Sequence, residues 1–398
     1  MAQGLKQAFN WSIVSAAFLV ALFGWGFGFY GPPVFLQMLH AHRGWSVSTI
    51  SSAITFHFVF SAILVAYLPD AYRRFGLPRV TAAGLVAAAA GVLSWSLAQQ
   101  PWHLFIAALV SGAGWAALSG AAINAIVAPW FDRDRPKALS TAFNGASCGG
   151  LLFTPLWVFV ISQFGFTAGA ALIGLAMLAI MLPVTAMIIG RNAPSAVAAN
   201  AATDRSRGQL FRDRGFFTIS LAFALALFAQ VGIVAHLIAR LAPEFGTSGG
   251  AWAMSFVTLC AIAGRSVIGA VMGERNRRMV AASNFAIQAL GTLLFTFGDG
   301  PVPLLLGCAL FGFGFGNLVS LPPLLLQREF SGAEVGRAVA LIVAVNQAVF
   351  AFAPAVLGIL RDLAGDYTIS FALAATLQGV AAAVILLGRV SLRPKTLG

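Results

Sequence analysis

One arginine stands out among the residues of this sequence that can do chemistry. Arg265 is the only charged residue of the apolar run AIAGRSVIGAV, residues 261–271, and the run holds no Asp or Glu to pair with it. A guanidinium keeps its charge and presents a planar fork of donors that matches a carboxylate. The run therefore predicts a binding site for a small anion. The open alternative is an arginine that braces helix ends through backbone carbonyls and water.

Five further residues are expected to line the same site because they are polar or aromatic and stand inside apolar runs. They are Trp25, Tyr30, Asn144, His236 and Asn346. Trp25 and Tyr30 would form an apolar wall around a ligand, with packing against other helices or lipid as the alternative. Asn144 shares a helical face with Ser147 and Thr154, as a cavity wall requires. Hydrogen bonding between helices is the alternative for that face.

His236 bears on the charge of the expected ligand. It precedes Arg240 by four residues, so both lie on one face of a helix. A protonated imidazole would give the site a second positive charge or assist the passage of a proton. A neutral, packed histidine explains the same position equally well. With Arg265 as the one fixed central charge, and with Asn346 rather than a cation in the eleventh apolar run, the sequence favours a monoanion.

The composition indicates the surroundings in which these residues act. The chain has 398 residues, of which 59% are hydrophobic and 9% are charged, and its mean hydropathy is +0.88. A soluble protein carries about a quarter of charged residues, so this chain is expected to be an all-α membrane protein. Its net charge of +12 lies mainly in short loops, where Lys and Arg set topology. The sequence therefore predicts no nucleic-acid partner, and it predicts neither a metal nor another cofactor.

The apolar runs predict twelve transmembrane helices at about 20 residues for each crossing. We expect them near residues 11–39, 47–69, 80–98, 103–130, 138–162, 168–190, 215–241, 250–272, 279–298, 303–327, 338–361 and 369–388. Residues 191–214 contain NAPSAVAANAATDRSRG and are interpreted as a flexible cytoplasmic linker. The expected domains are a six-helix half at 1–190 and a second at 215–398.

The two halves resemble each other. Gly112 and Gly114 match Gly312 and Gly314 at a separation of 200 positions. A parallel repeat of this kind is typical of transporters that bind their substrate near the middle of the membrane, between the halves. Most loop arginines lie on the side that both termini would share, so both termini and the linker are expected to be cytoplasmic. We expect a multi-pass protein of the bacterial cytoplasmic (inner) membrane.

At this point the sequence resembles the major facilitator superfamily. The segments LPDAYRRFGLPRV, residues 68–80, and GRSVIGAVMGERNRR, residues 264–278, are similar to that superfamily's loops after the second and eighth helices. The resemblance covers essentially the whole chain. It implies twelve helices in two pseudo-symmetric halves of six, and transport by alternating access.

A finer resemblance concerns the monocarboxylate transporters and the oxalate/formate antiporters. GWGF, residues 24–27, is similar to the first-helix signature of the former, and Arg265 precedes Gly269 by four residues as in their eighth helix. The resemblance implies that Arg265 binds the substrate carboxylate. The family's acidic residue four positions earlier is Ala261 here, and the first expected span, residues 11–39, has no lysine, so the sequence departs from the family's pattern of coupling residues at both places.

A set of charged residues at the expected cytoplasmic side is interpreted as gating residues that join the halves when that side is closed. They are Asp70, Arg73, Arg74, Arg133, Arg135, Glu274, Arg278 and Arg337. Asp70 and Glu274 follow corresponding helices of the two halves. Charges that only set the topology are the alternative for the basic members.

These observations favour a secondary active transporter, a symporter or antiporter that moves a small organic monoanion, a monocarboxylate, by alternating access. Its expected partners are that anion, the lipid bilayer and, as an open alternative, a co-transported proton, and we expect a monomer. A drug or other small-solute exporter of the same superfamily is the rival within transport. A membrane enzyme or sensor is the rival of another class. It is disfavoured because the five histidines are scattered along the chain, so we expect no enzyme.

Overall fold

The structure, a computed structural model, describes residues 2–131, 135–190, 207–272, 276–330 and 332–388. Nearly all of these residues are helical. Spans 1 to 12 are formed in chain order by the helices Ala2–Gly28 with Gly31–Arg43, Val47–Phe75, Leu77–Leu97, His103–Leu118 with Gly120–Val127, Arg135–Phe164, Phe166–Val184, the two parts of Arg214–Met272, Arg277–Phe297, Pro301–Phe315 with Asn317–Glu329, Gly332–Phe350 with Ala353–Ala364, and Thr368–Leu386.

The helix Arg214–Met272 accounts for two of the twelve crossings. Its apolar part, Arg214–Ile268, has 55 residues, which at 1.5 Å per residue would extend for about 80 Å, far beyond one bilayer. The chain turns at Gly246, whose φ of 68° is readily adopted only by glycine. Gly250 then packs against Ile238 of the preceding arm. Spans 7 and 8 therefore form a hairpin, and the described residues make the twelve crossings that the hydropathy pattern predicts.

The even number of crossings places both ends of the bundle on one side. We call this side the terminal face, and the other side, which carries residues 44–46 and 365–367, the opposite face. Large apolar side chains cover the outside of the bundle, as contact with lipid requires. Phe159, Leu175 and Trp252 are examples, each more than 60% exposed.

The repeat predicted from the glycines is confirmed by their packing. A β-carbon on Gly112 of span 4 would lie 2.7 Å from the backbone oxygen of His57 in span 2. A β-carbon on Gly312 of span 10 would lie 2.5 Å from the backbone oxygen of Val257 in span 8. Both partners are again 200 positions apart. The same small residue thus lets two backbones touch at the same place in each half.

The helix pairing repeats as well. In the first half, spans 1–6, span 1 packs on span 5, span 2 on span 4 and span 3 on span 6. In the second half, spans 7–12, the corresponding pairs are 7 with 11, 8 with 10 and 9 with 12. The halves meet chiefly through span 2 against span 11 and span 5 against span 8. The fold is therefore two pseudo-symmetric halves with a site available between them.

Several spans are interrupted near their middle. Span 1 leaves regular helix at Phe29 and Tyr30, just before the Pro32-Pro33 pair, and span 10 does so at Gly316. Proline at the start of a helix is tolerated because its missing N–H has no helical partner there. These breaks place backbone and side chains toward the space between the halves, where Arg265 lies.

The segment expected to be a flexible linker is partly ordered. Residues 191–206 lie outside the described residues, but Arg207–Arg212 forms a short helix. Leu210 of this helix is 1% exposed and packs with Phe216 and Leu326 in the core of the second half. The interpretation of the whole of 191–214 as flexible is therefore wrong at its C-terminal end, because one apolar side chain fixes that end to the bundle.

Candidate functional site

Arg265 lies on span 8 and faces the interior of the molecule. A β-carbon on the preceding residue, Gly264, would collide with the backbone oxygen of Phe313, so spans 8 and 10 are in backbone contact there. This contact brings the Arg265 guanidinium to the interruption of span 10. Its Nε and Nη2 atoms lie 3.4 and 3.3 Å from the carbonyl oxygen of Gly316.

The same guanidinium reaches across to the first half. Arg265 Nη1 donates to Asn144 Oδ1 of span 5 over 3.3 Å. All three of its hydrogen bonds are long, because N–H···O bonds in proteins are typically 2.9–3.0 Å. Arg265 is therefore held in place weakly, and it links the two halves through a side chain that the sequence analysis had placed at the same site.

No carboxylate contacts Arg265 within the described part of the chain. The ion pairs found there join Arg73 to Asp70, Arg278 to Glu329, and Arg361 to Asp362, all near span ends. A guanidinium in the middle of a bilayer needs water or an opposite charge. Among the described residues, the Arg265 guanidinium donates to one amide side chain, Asn144, and to one backbone carbonyl, Gly316.

Tyr30 is the second expected residue that the fold places beside Arg265. Its side chain is 2% exposed and is close enough to Arg265 for an electrostatic interaction. A β-carbon on Gly150 would lie 2.5 Å from Cζ of Tyr30 and 2.6 Å from Cγ2 of Thr258. Tyr30, from span 1, is therefore held between spans 5 and 8, and Gly150 leaves room for its ring.

Trp25 belongs to a continuous series of aromatic rings, which we call the aromatic arc. The ring centroids of Tyr30 and Phe29 are 5.1 Å apart, those of Phe29 and Trp115 6.3 Å, those of Trp115 and Trp25 4.8 Å, and those of Trp25 and Phe143 6.1 Å. These separations are typical of favourable aromatic pairs. The arc begins at a neighbour of Arg265 and ends at the residue directly before Asn144.

His236 does not contact Arg265. It is fully buried near the opposite face, where its Nε2 lies 2.9 Å from the backbone oxygen of Pro354 and its Nδ1 lies 3.4 Å from the Tyr367 hydroxyl. Its Cε1 packs beside Gly358, which also receives Ser51 from span 2. These contacts match the packed histidine that the sequence left open, rather than a second charge beside Arg265.

Asn346 lies on span 11 and is 4% exposed. Its Oδ1 accepts no hydrogen bond from any described residue, and no described contact joins it to Arg265. Asn346 thus remains a prediction as a substrate-binding residue.

The expected gating residues that the structure describes remain within their own halves. Arg73 pairs with Asp70 inside span 2, and both side chains are more than 60% exposed. The Arg74 guanidinium lies 5.2 Å from the ring centre of its neighbour Phe75. The other expected members lie outside the described residues, entirely or through their side chains: Arg133, Glu274, Arg135 and Arg337.

Arg278 differs from the gating role expected for it. The residue is 2% exposed, and its Nε and Nη2 bind the Glu329 carboxylate at 2.6 and 2.7 Å. Its remaining N–H groups go to Thr218 Oγ1 and to the backbone oxygens of Ile385 and Gly215. All five guanidinium donors are used within the second half. Arg278 therefore joins spans 7, 9, 10 and 12 and has no donor left for the first half.

The halves are instead joined at the opposite face, by contacts that the sequence analysis missed. The backbone N–H of Ser48, in the first turn of span 2, donates to Asp362 of span 11 over 2.7 Å. The backbone N–H of Ala355, in the first turn of helix Ala353–Ala364, donates to Thr55 Oγ1 of span 2 over 3.0 Å. Each helix thus caps the N-terminus of the other, and we call these four residues the reciprocal latch.

The latch indicates which side of the site is open. With the halves joined at the opposite face, Asn144 is exposed although it lies between the halves beside Arg265. The exposure of Asn144 and the closed opposite face together favour access to the site from the terminal face. The sequence holds a local signal for half of the latch, since Ser46 to Thr49 is typical of a helix N-terminus, but it does not show which distant acid meets that end.

Comparison with known proteins agrees with this architecture. The chain is 25% identical over 341 residues to MFS-type transporter 1 of Ophiocordyceps sp., covering 82% of this chain and 73% of that one. It is 24% identical over 367 residues to the MFS transporter asaE of Aspergillus flavus, and the match covers 90% of this chain and 81% of that one.

Two solved structures share the fold at low sequence identity. One is a mutant of the nucleoside transporter NupG, with a TM-score of 0.76, 16% identity and coverage of 95% of this chain and 99% of that one. The other is a bacterial homologue of the human lysosomal transporter Spinster in an inward-facing and unoccupied conformation, with a TM-score of 0.73, 11% identity and coverage of 96% and 97%.

Residues 16–354 of the sequence match the family described as the Major Facilitator Superfamily. That match includes spans 2 to 10 and most of spans 1 and 11, with Arg265, Asn144, the aromatic arc and two of the four latch residues, Ser48 and Thr55. This multi-pass membrane protein therefore belongs to the Major Facilitator Superfamily of transporters.

Proposed function

We propose that this transporter moves a small organic monoanion, a monocarboxylate, by alternating access, and that Arg265 binds the carboxylate. The observation that carries the proposal is a central guanidinium with three long hydrogen bonds and no carboxylate partner among the described residues. A carboxylate that accepts two short bonds from the same fork would replace weak contacts with charge-assisted ones. A ligand of a single negative charge suits a single fixed positive charge.

The position of Arg265 suggests how binding is coupled to conformational change. Arg265 belongs to the second half and Asn144 to the first, and the two lie 3.3 Å apart. An anion bound between them contacts both halves at once. Such a ligand stabilises the states in which the halves are close, because it loses one set of contacts when they separate. Binding would therefore favour an occluded state on the path between the two open states.

The charge distribution bears on the orientation in the membrane, and the residues around Arg265 bear on proton coupling. The excess of arginine on the terminal face supports a cytoplasmic location for that face and both termini. Symport and antiport both remain compatible with this site. Since no acid contacts Arg265 among the described residues, protonation of the substrate carboxylate itself is the step that the site offers for proton coupling.

Ligand-induced thermal stabilisation tests this function. Monocarboxylates are expected to stabilise the purified wild-type protein, by about 2.7 kcal/mol at a concentration of 100 times Kd. In Arg265→Gln, which keeps one amide donor but no charge, affinity is expected to fall about tenfold, because a charge-assisted bond is replaced by a neutral one. Arg265→Lys, which keeps the charge without the fork, should lie between them. Uptake into proteoliposomes should rank the proteins in the same order.

The matched control is Arg79→Gln. Arg79 is an exposed arginine of span 3 at the terminal face, and its loss should leave the ligand response unchanged. Equal stabilisation of wild type and Arg265→Gln would remove Arg265 from the site. Stabilisation by dicarboxylates alone would contradict the monoanion.

A further inference from the structure

The aromatic arc extends the binding site beyond the charge of its ligand. We propose that the preferred cargo is an aromatic monocarboxylate, whose ring packs against the arc while its carboxylate binds Arg265. This inference rests on the proposed function and specifies its substrate class.

The first argument is the position of the arc relative to the charge. Its first ring, Tyr30, lies near Arg265, and its last ring, Phe143, directly precedes Asn144, whose Oδ1 accepts a hydrogen bond from Arg265. Phe315 of the second half directly precedes Gly316, the other partner of Arg265, and its ring lies 6.5 Å from Phe29. Tyr30 therefore places the arc beside Arg265, and Phe143 and Phe315 extend the same series of rings to spans 5 and 10.

The second argument is the accessibility of the rings. Trp25, Phe29 and Phe143 are half-buried, whereas Tyr30 and Trp115 are buried behind them at 2% and 7% exposure. The arc thus has an inner layer that fixes the rings and an outer layer with free surface. Rings held by packing lose little conformational freedom when a ligand binds, which favours affinity.

The third argument is ring orientation. Trp25 meets Trp115 at 76° and Phe143 at 89°, so these rings contact each other edge to face rather than stacking in parallel. Gly120 lies beside both rings, since a β-carbon there would be in ordinary contact with Phe143 at 3.4 Å and with Trp25 at 4.0 Å. In edge-to-face packing, some negative ring faces and some positive ring edges stay available for contact with another aromatic ring.

An aliphatic ligand of the same size would gain only the burial of apolar area. An aromatic ligand also gains from the ring quadrupoles, which corresponds to an affinity about 2- to 10-fold higher. Benzoate and cyclohexanecarboxylate isolate this difference because they share the carboxylate and the six-membered ring, and only the first is aromatic. Acetate serves as the carboxylate without a ring.

The test measures the affinities of the full-length protein for these three anions by thermal shift and by competition for uptake in proteoliposomes. In wild type, benzoate is expected to bind about 2- to 10-fold more tightly than cyclohexanecarboxylate. Trp25→Leu should bring that ratio close to one. Trp252→Leu removes a tryptophan that is 65% exposed on the outside of span 8, and it should keep the wild-type ratio. Phe143→Leu provides a second variant of the arc.

The outcomes separate this inference from the function on which it rests. Equal affinity for benzoate and cyclohexanecarboxylate in wild type overturns the aromatic preference, while acetate binding that still depends on Arg265 keeps the proposed function. A preference for benzoate that survives both Trp25→Leu and Phe143→Leu also overturns the role of the arc. If none of the three anions binds in an Arg265-dependent manner, the proposed function itself fails.

Discussion

Arg278→Met is expected to destabilise the protein by about 3–5 kcal/mol, the usual cost of removing one partner from a buried ion pair. Glu329 would keep its charge but lose both guanidinium bonds, which are 2.6 and 2.7 Å long. Its side chain is only 11% exposed, so water cannot fully replace them. The Thr218 hydroxyl and the backbone oxygens of Gly215 and Ile385 would lose a donor as well. Unfolding in detergent, followed by tryptophan fluorescence, measures the change.

The neighbouring cation provides the control for this prediction. Arg328 is exposed at the same end of span 10, and Arg328→Met removes one positive charge without a buried contact. Its effect should stay within about 0.5 kcal/mol. The double variant Arg278→Met with Glu329→Leu should recover much of the lost stability, because no unpaired charge remains. A double variant as unstable as Arg278→Met alone would show that the pair is not the cause.

This ion pair also makes the halves unequal. The residue 200 positions before Arg278 is Pro78, which has no charge and no side-chain donor. The position in the first half that corresponds to Arg278 therefore offers no donor for a connection like the one that unites spans 7, 9, 10 and 12.

The sequence predicted those features of the fold and of the candidate site in which a residue type has one main physical role in a membrane protein. Apolar runs of bilayer length gave the spans, and glycines repeated at 200 positions marked places where backbones touch. Arg265 was selected as the candidate anion-binding residue because a lone charge in an apolar run requires water or a polar partner. Asn144 was placed in the same cavity from helical spacing, and the fold brings the two within 3.3 Å.

The contacts that were missed or misjudged depend on which distant helix ends meet. Arg278 belongs to a basic loop, and nothing in its local sequence distinguishes a surface charge from one buried beside Glu329, 51 positions later. His236 has a spacing that suits a cavity, yet its neighbours are Pro354 and Tyr367 at the opposite face. Aromatic residues are common in membrane helices, so the order of rings in the arc could not be derived from sequence spacing.

The reciprocal latch gives the second prediction, a shift between conformations. Asp362→Ala together with Thr55→Val removes both acceptors that join span 2 to span 11. Loss of a capping carboxylate costs typically about 1 kcal/mol, and an unpaired backbone N–H about the same. The state closed at the opposite face should therefore lose about 2 kcal/mol relative to the state open there. This difference corresponds to a shift of about 30-fold in the ratio of the two populations.

Spin labels report this shift directly. His42, at the end of span 1, and Leu363, at the end of span 11, are exposed on the opposite face and belong to different halves. In a protein whose three native cysteines are replaced, double electron–electron resonance between labels at these positions should show one short distance. The double variant should add a longer distance as the major population. Substrate that requires the closed opposite face should bind the double variant more weakly, with an apparent Kd equal to the intrinsic Kd divided by the fraction of molecules that remain closed there.

Asp366→Ala is the control that separates the latch from general loss of helix capping. The Asp366 carboxylate also accepts from a helix N-terminus at the opposite face, over 2.8 Å from the backbone N–H of Thr368, but both residues belong to the second half. Its removal should cost stability of a similar size and leave the distance between the labels unchanged. If Asp366→Ala lengthened that distance as much as the latch variant, the opening would follow from weakened helix ends rather than from the contacts between halves. Because the bonds from Ser48 and Ala355 cross from one half to the other, whereas the bond from Thr368 stays within the second half, the latch variant alone is expected to lengthen the distance between the labels.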